Sequence, residues 1–207
     1  GLEALQSFLT ACNATSAAPV TLQDLTGDGL DDLVLIYQNP DPALVQPAME
    51  LLILQGSADG FAIGYQARAE SEVNLLGTID VNTDNQTDVA WIETTCGAET
   101  CFDTVQIYSW DGNAWQDWTA TKITMANAEI RLEDQSEMAQ GLEVVLSGGE
   151  YVDEAAGPQR SRTELWGSLD GAPYTLLDRS YAASNCLYFT VLDANAAFLA
   201  GGDDDFE

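Results

Sequence analysis

Oxygen-bearing side chains recur at every second position of Asp24-Leu25-Thr26-Gly27-Asp28-Gly29-Leu30-Asp31-Asp32, and the chain then turns into the apolar run Leu33 to Tyr37. No other stretch restricts so tightly what this chain can fold into. A calcium ion takes about six to eight oxygens from carboxylates, carbonyls and water, so a loop curling round it must offer one at alternate positions. Asp24, Thr26, Asp28, the Leu30 carbonyl and Asp32 are those oxygens, and Gly29 supplies the sharp turn at the sixth position without a Cβ in the way. An acidic surface turn is the plainer account of such a segment taken alone.

A second copy argues against the plainer account. Asp80-Val81-Asn82-Thr83-Asp84-Asn85-Gln86-Thr87-Asp88 offers Asp80, Asn82, Asp84, Gln86 and Asp88 at the same alternate positions and also runs into apolar residues, Val89-Ala90-Trp91-Ile92. Its sixth position is Asn85, the non-glycine residue type that best tolerates a left-handed backbone. Two calcium sites are therefore expected, one in each loop. EF-hand and dockerin loops share the opening pattern but need an acid at the twelfth position. Here that position holds Leu35 or Trp91, so neither fits.

The same order of features recurs down the chain. In each unit a short strand enters the loop, a second strand leaves it, and a third runs into an Asp-Gly turn and a fourth strand. The turns are Asp59-Gly60, Asp111-Gly112 and Asp170-Gly171, and the residues just before the second strand are Asp32, Asp88 and Glu143, 56 and 55 positions apart. The third junction has lost its oxygen pattern: Gln135 stands first, Glu143 ninth, and Glu137 is the remaining acid in register, so no tight metal is expected there. A repeat of this length, with four strands per unit, is the mark of propeller-type sheets that bury their faces against one another. The fold expected is all-β, with three repeated four-stranded antiparallel units spanning 17–66, 72–119 and 127–180 in one domain. Helical spacing predicts short terminal helices over 2–12 and 186–200. Three units are fewer than a closed propeller uses. The alternatives are an incomplete array, a layered β-domain or completion by another chain.

Four cysteines allow three pairings. Cys96 and Cys101 flank a short loop between strand-like runs, and Cys12 with Cys186 would then tie the two ends together; buried free thiols are the other reading. Zinc is a poor alternative in a chain without histidine.

The loops resemble the calcium-binding FG-GAP or VCBS-type repeats of secreted bacterial proteins and of the integrin α-chain propeller, over 24–37 and 80–92. The resemblance implies that Asp24, Thr26, Asp28, Leu30 and Asp32, and then Asp80, Asn82, Asp84, Gln86 and Asp88, hold the ion, and that the chain is extracellular.

Charge narrows the function further. Thirty-four acidic residues against six basic ones give a net charge of −28, which excludes nucleic acid and disfavours anionic lipid. No apolar run approaches the roughly 18–20 residues that span a bilayer. Without histidine there is no Ser-His-Asp or Cys-His nucleophile system. The leading expectation is a secreted, non-enzymatic calcium-stabilised module for structure, adhesion or assembly, with another protein, a cell-surface glycan or further copies of itself as partner. The alternatives are a carbohydrate-binding module presenting Trp110, Trp115, Trp118 and Trp166, and a glycoside hydrolase built on a carboxylate pair. Asn13 and Asn85 fit glycosylation sequons.

Overall fold

The structure, a computed structural model, describes residues 5, 7, 9–10, 15–16, 19–39, 48–69, 72–119, 121–135, 139–150 and 157–201. Its described strands form three antiparallel sheets whose long strands lie side by side in chain order. In the first, β3 (Asp32–Asn39) is flanked on one edge by β1 (Thr15–Ser16) and β2 (Thr21–Gln23) and on the other by β4 (Ala48–Ser57), which pairs with β5 (Gly60–Ala69). In the second, β6 (Glu72–Ile79), β7 (Asp88–Cys96) and β8 (Cys101–Trp110) run side by side. The far edge of β8 takes both β9 (Trp115–Asp117) and β10 (Ile123–Ala126). The third sheet orders β11 (Glu129–Glu133), β12 (Gln140–Gly148), β13 (Arg162–Ser168) and β14 (Thr175–Tyr181). A helix, α1 (Leu187–Gly201), follows.

The architecture is thus the expected all-β, three-unit one, an open propeller-like series whose described strands close no barrel. Two strands were not foreseen. β1 is a two-residue polar strand and β10 a four-residue one whose Ile123 and Met125 are buried; each pairs along an edge of its sheet.

Packing explains the series. The apolar faces of the first two sheets meet in one cluster, with Val34, Ile36, Leu51 and Ile53 against Val73, Val89 and Trp91. Tyr65, Trp91 and Tyr108 stack within it, their ring centroids 4.3–6.0 Å apart. The second and third sheets meet in another, where Ala90, Ile107, Ile123 and Met125 face Val144, Leu146, Trp166 and Tyr174. A third cluster covers the outer face of the first sheet, setting Leu33, Leu35, Tyr37 and Leu52 against Leu5 and Leu9. That double burial is why β3 reads as a continuous apolar run rather than an alternating one.

Trp115 and Trp166 are buried, and Trp110 and Trp118 pack against the same two clusters. Inter-sheet packing takes up the four tryptophans that a sugar-binding surface would have to present. Of the N-terminal helix expected over 2–12, Leu5, Ser7, Leu9 and Thr10 are helical; the other positions, with Cys12 and Asn13, lie outside the described residues. The helix expected over 186–200 is α1, displaced by one residue.

One cysteine pairing formed and one did not. Cys96 and Cys101 are bridged at a hairpin end where the strand register sets them directly opposite. Cys186 carries a free thiol, a correction to the expected bridge with Cys12. That pairing rested on elimination alone, whereas strand register sets Cys96 opposite Cys101.

Candidate metal centre

Both loops join the first two strands of a unit, and both adopt one backbone path. The fourth and sixth positions are left-handed in each: Gly27 and Gly29 at φ of 75° and 86°, and Thr83 and Asn85 at 61° and 67°. The β-branched Thr83 is costly there, and residues held in such conformations concentrate at functional sites. The second position points into the core in each, with Leu25 and Val81 essentially unexposed.

The ninth-position acid anchors the loop from below. Asp32, Asp88 and Glu143 are all fully buried. Asp32 accepts the Leu25 and Thr26 amides on one oxygen, each at 2.9 Å, and the Gly56 amide on the other at 2.8 Å. Asp88 accepts the Val81 amide at 2.8 Å. At the third junction, Glu143 accepts the Gln135 amide at 2.8 Å; Glu137 lies outside the described residues. The extra methylene of glutamate moves the accepted amide back from the second loop position to the first.

The remaining acids organise the loop from within. Asp24 accepts the amides of Gly27, Asp28 and Gly29, and Asp28 accepts that of Leu30. In the second loop Asp80 accepts Asn85 N–H at 2.9 Å, Asn82 Oδ1 accepts Asp84 N–H at 3.0 Å, and Asp84 accepts Gln86 N–H at 2.8 Å. An ionised carboxylate has about four lone-pair sites, so these amides leave acceptor capacity on every one. Among the described residues no three acidic side chains already converge as a ready ligand group.

Some of that capacity is buried and unused. Thr26 Oγ1, Asp80 Oδ1, Gln86 Oε1 and Asp88 Oδ1 are buried acceptors without a hydrogen-bond partner, and they fall at the third, first, seventh and ninth loop positions. A buried oxygen with nothing to bind costs about 1–3 kcal/mol, and folded proteins rarely leave several together. Burial pushes the Asp88 carboxyl up to about 6, opposed by the Ser109 hydroxyl and the Val81 amide and reinforced by the Asp84 and Asp80 charges. Burial also raises Tyr174, helped by the charges of Asp88, Glu143 and Asp80, so the second loop and the third junction share one electrostatic field.

The residues that tie these junctions together were not found by sequence reasoning. Gln23 accepts from Thr78 Oγ1 at 3.0 Å and donates to Thr87 Oγ1 at 3.1 Å, linking the first unit to the second loop. Leu142 N–H donates to the Val81 carbonyl at 2.8 Å, and the Tyr174 hydroxyl donates to the Leu142 and Val81 carbonyls. These partners are up to 93 residues apart. No local pattern announces them. Small residues on the third strand of each unit, Gly56, Ser109 and Gly167, were the available signal: the Gly56 amide binds Asp32, a Cβ at Gly56 would lie 2.3 Å from the Asp31 carbonyl oxygen, and one at Gly167 would lie 3.2 Å from Glu143 Cγ.

Comparison with protein-family models, with curated proteins and with solved structures gave no match for the chain.

Proposed function

We propose that this chain is a non-enzymatic, extracellular module whose repeat junctions bind calcium and are stabilised by it. The observation that carries the reading is the buried, unpartnered acceptors of Thr26, Asp80 and Asp88 at ligand positions of two loops that share one backbone path. Asp24, Thr26, Asp28, the Leu30 carbonyl and Asp32 would hold one ion, and Asp80, Asn82, Asp84, the Gln86 carbonyl and Asp88 the other. This donor set is all oxygen and mixes carboxylates with neutral groups, which suits calcium. The ion supplies positive charge among acids that otherwise repel.

The chain's own residues do the rest. Backbone amides hold Asp24, Asp80 and the ninth-position acids along the loop, and uptake of a cation would draw their carboxylates together. Gln23 and the Val81 carbonyl pass the order of each loop to the neighbouring unit. The Cys96–Cys101 bridge suits an oxidising compartment, and extracellular modules bind calcium at roughly 10⁻⁴–10⁻³ M.

Calorimetric titration of calcium into the protein tests this, repeated on Asp28→Asn and Asp84→Asn. Two binding events are expected in the parent, with each variant losing a different one. Absence of binding heat at millimolar calcium, or two sites surviving in both variants, sinks the proposal.

A further inference from the structure

Among the described residues, helix α1 is held to the body along one side only. Phe189 is buried, and Arg160 lies over its ring at 4.9 Å and over that of Tyr181 at 4.5 Å while forking onto Asp193 at 2.5 and 2.7 Å. At about 100° per residue these anchors, Phe189 and Asp193, occupy neighbouring positions on the helix. Leu187, Tyr188, Val191, Leu192, Phe198 and Leu199 fall within an arc of about 140° facing away from them. They are 44–77% exposed.

Three observations say what covers that arc. The first is its size. At these exposures the six side chains present on the order of 700–800 Å² of apolar surface, more than monomers usually leave in one patch and close to the ~800 Å² per partner of a stable interface. The second is its pattern. Tyr188, Val191, Asn195 and Phe198 follow the alternating three- and four-residue spacing of a coiled-coil seam, with Leu187, Leu192 and Leu199 beside it. Asn195, the one polar residue in the arc, stands where a buried asparagine fixes the register of paired helices at some cost in stability. The third is charge. The only acid of α1, Asp193, is neutralised by Arg160, so the arc is an uncharged face on a chain of net −28.

Lipid fits less well. No Lys or Arg lies between Ser180 and Gly201 to meet headgroups, and a 15-residue helix is about 22 Å long against a hydrocarbon core of about 30 Å.

We infer that α1 is a self-association helix: a second copy of this chain packs its own α1 on the arc from Leu187 to Leu199, giving a two-fold dimer sealed by an apolar seam around Asn195. The interface is independent of calcium and lies in the helix rather than in the loops. Screening the acidic bodies with salt strengthens it.

Sedimentation equilibrium of the full chain from about 1 to 100 µM, in calcium and in chelator and at low and high salt, tests the inference. A dimer that tightens with salt and is the same with and without calcium is expected. Val191→Glu and Phe198→Glu, both exposed and so harmless to the monomer fold, should each weaken it by about 100-fold, as loss of a central anchor does. Ile63→Glu, equally exposed but on β5, should leave it intact. A monomer at every concentration, a dimer that survives both helix variants, or a monomer that instead floats with phosphatidylcholine vesicles overturns the inference.

Discussion

Replacing Gly141 by alanine isolates the contact on which the second loop and the third unit depend. Gly141 stands at φ of 86°, and a Cβ there would lie 2.0 Å from the Val81 carbonyl oxygen, a backbone atom that cannot rotate away. Left-handed backbone costs a non-glycine residue about 1–2 kcal/mol. Moving Val81 away from Leu142 and Tyr174 also strands a buried carbonyl, worth a further 1–3 kcal/mol or so. The expected loss is about 3–4 kcal/mol, and at about 2–4 °C per kcal/mol for a chain of this size the melting temperature should fall by about 6–16 °C. Gly171→Ala is the matched control, since its φ is 70° and nothing stands within 4 Å of the added carbon. It should cost only the backbone term, about 1–2 kcal/mol. Urea unfolding of the two variants beside the parent measures both. Equal losses in the two would refute the claim that the approach of Gly141 to Val81 holds the units together.

Two further outcomes follow from side chains outside the loops. Glu50 is buried between Tyr37, Asn39 and Gln66, with Arg68 at 3.9 Å. Burial raises its carboxyl, but those hydrogen bonds and the guanidinium outweigh burial and hold it below the ordinary glutamate range. A depressed carboxylate stabilises the fold fully above its unfolded-state value and stops doing so as pH falls through the folded one. Glu50→Gln should therefore cost about 2–3 kcal/mol at neutral pH and progressively less towards pH 3, read from urea midpoints across that window. Reducing the Cys96–Cys101 bridge frees only a five-residue separation, so chain entropy predicts a loss of about 2 kcal/mol, seen as a drop of about 4–8 °C in a reductant melt without loss of the β-sheet circular dichroism signal.

The periodic parts of this fold were legible in the sequence because they are local. Alternating oxygens placed both loops, the Asp-Gly pairs placed the hairpins, and Asn85 announced its left-handed backbone by its type. Thr83 gave no such notice, since only comparison with Gly27 shows that the fourth position must also turn left. The contacts that order the units in space stayed hidden for the same reason in reverse. Gln23, Gly141, Tyr174 and Glu50 act on partners from other strands or units, and nothing in their immediate neighbours records it. Tryptophans near turns suggested an open surface, yet the sheet faces that meet in the two inter-sheet clusters took them in.

A pair of thermal melts addresses calcium binding in the two loops most directly. In about 2 mM calcium, two sites of about 10⁻⁴ M affinity add roughly 3–4 kcal/mol to the folded state. The melting temperature should be about 7–14 °C higher there than in excess chelator. Superimposable melts would contradict calcium binding there.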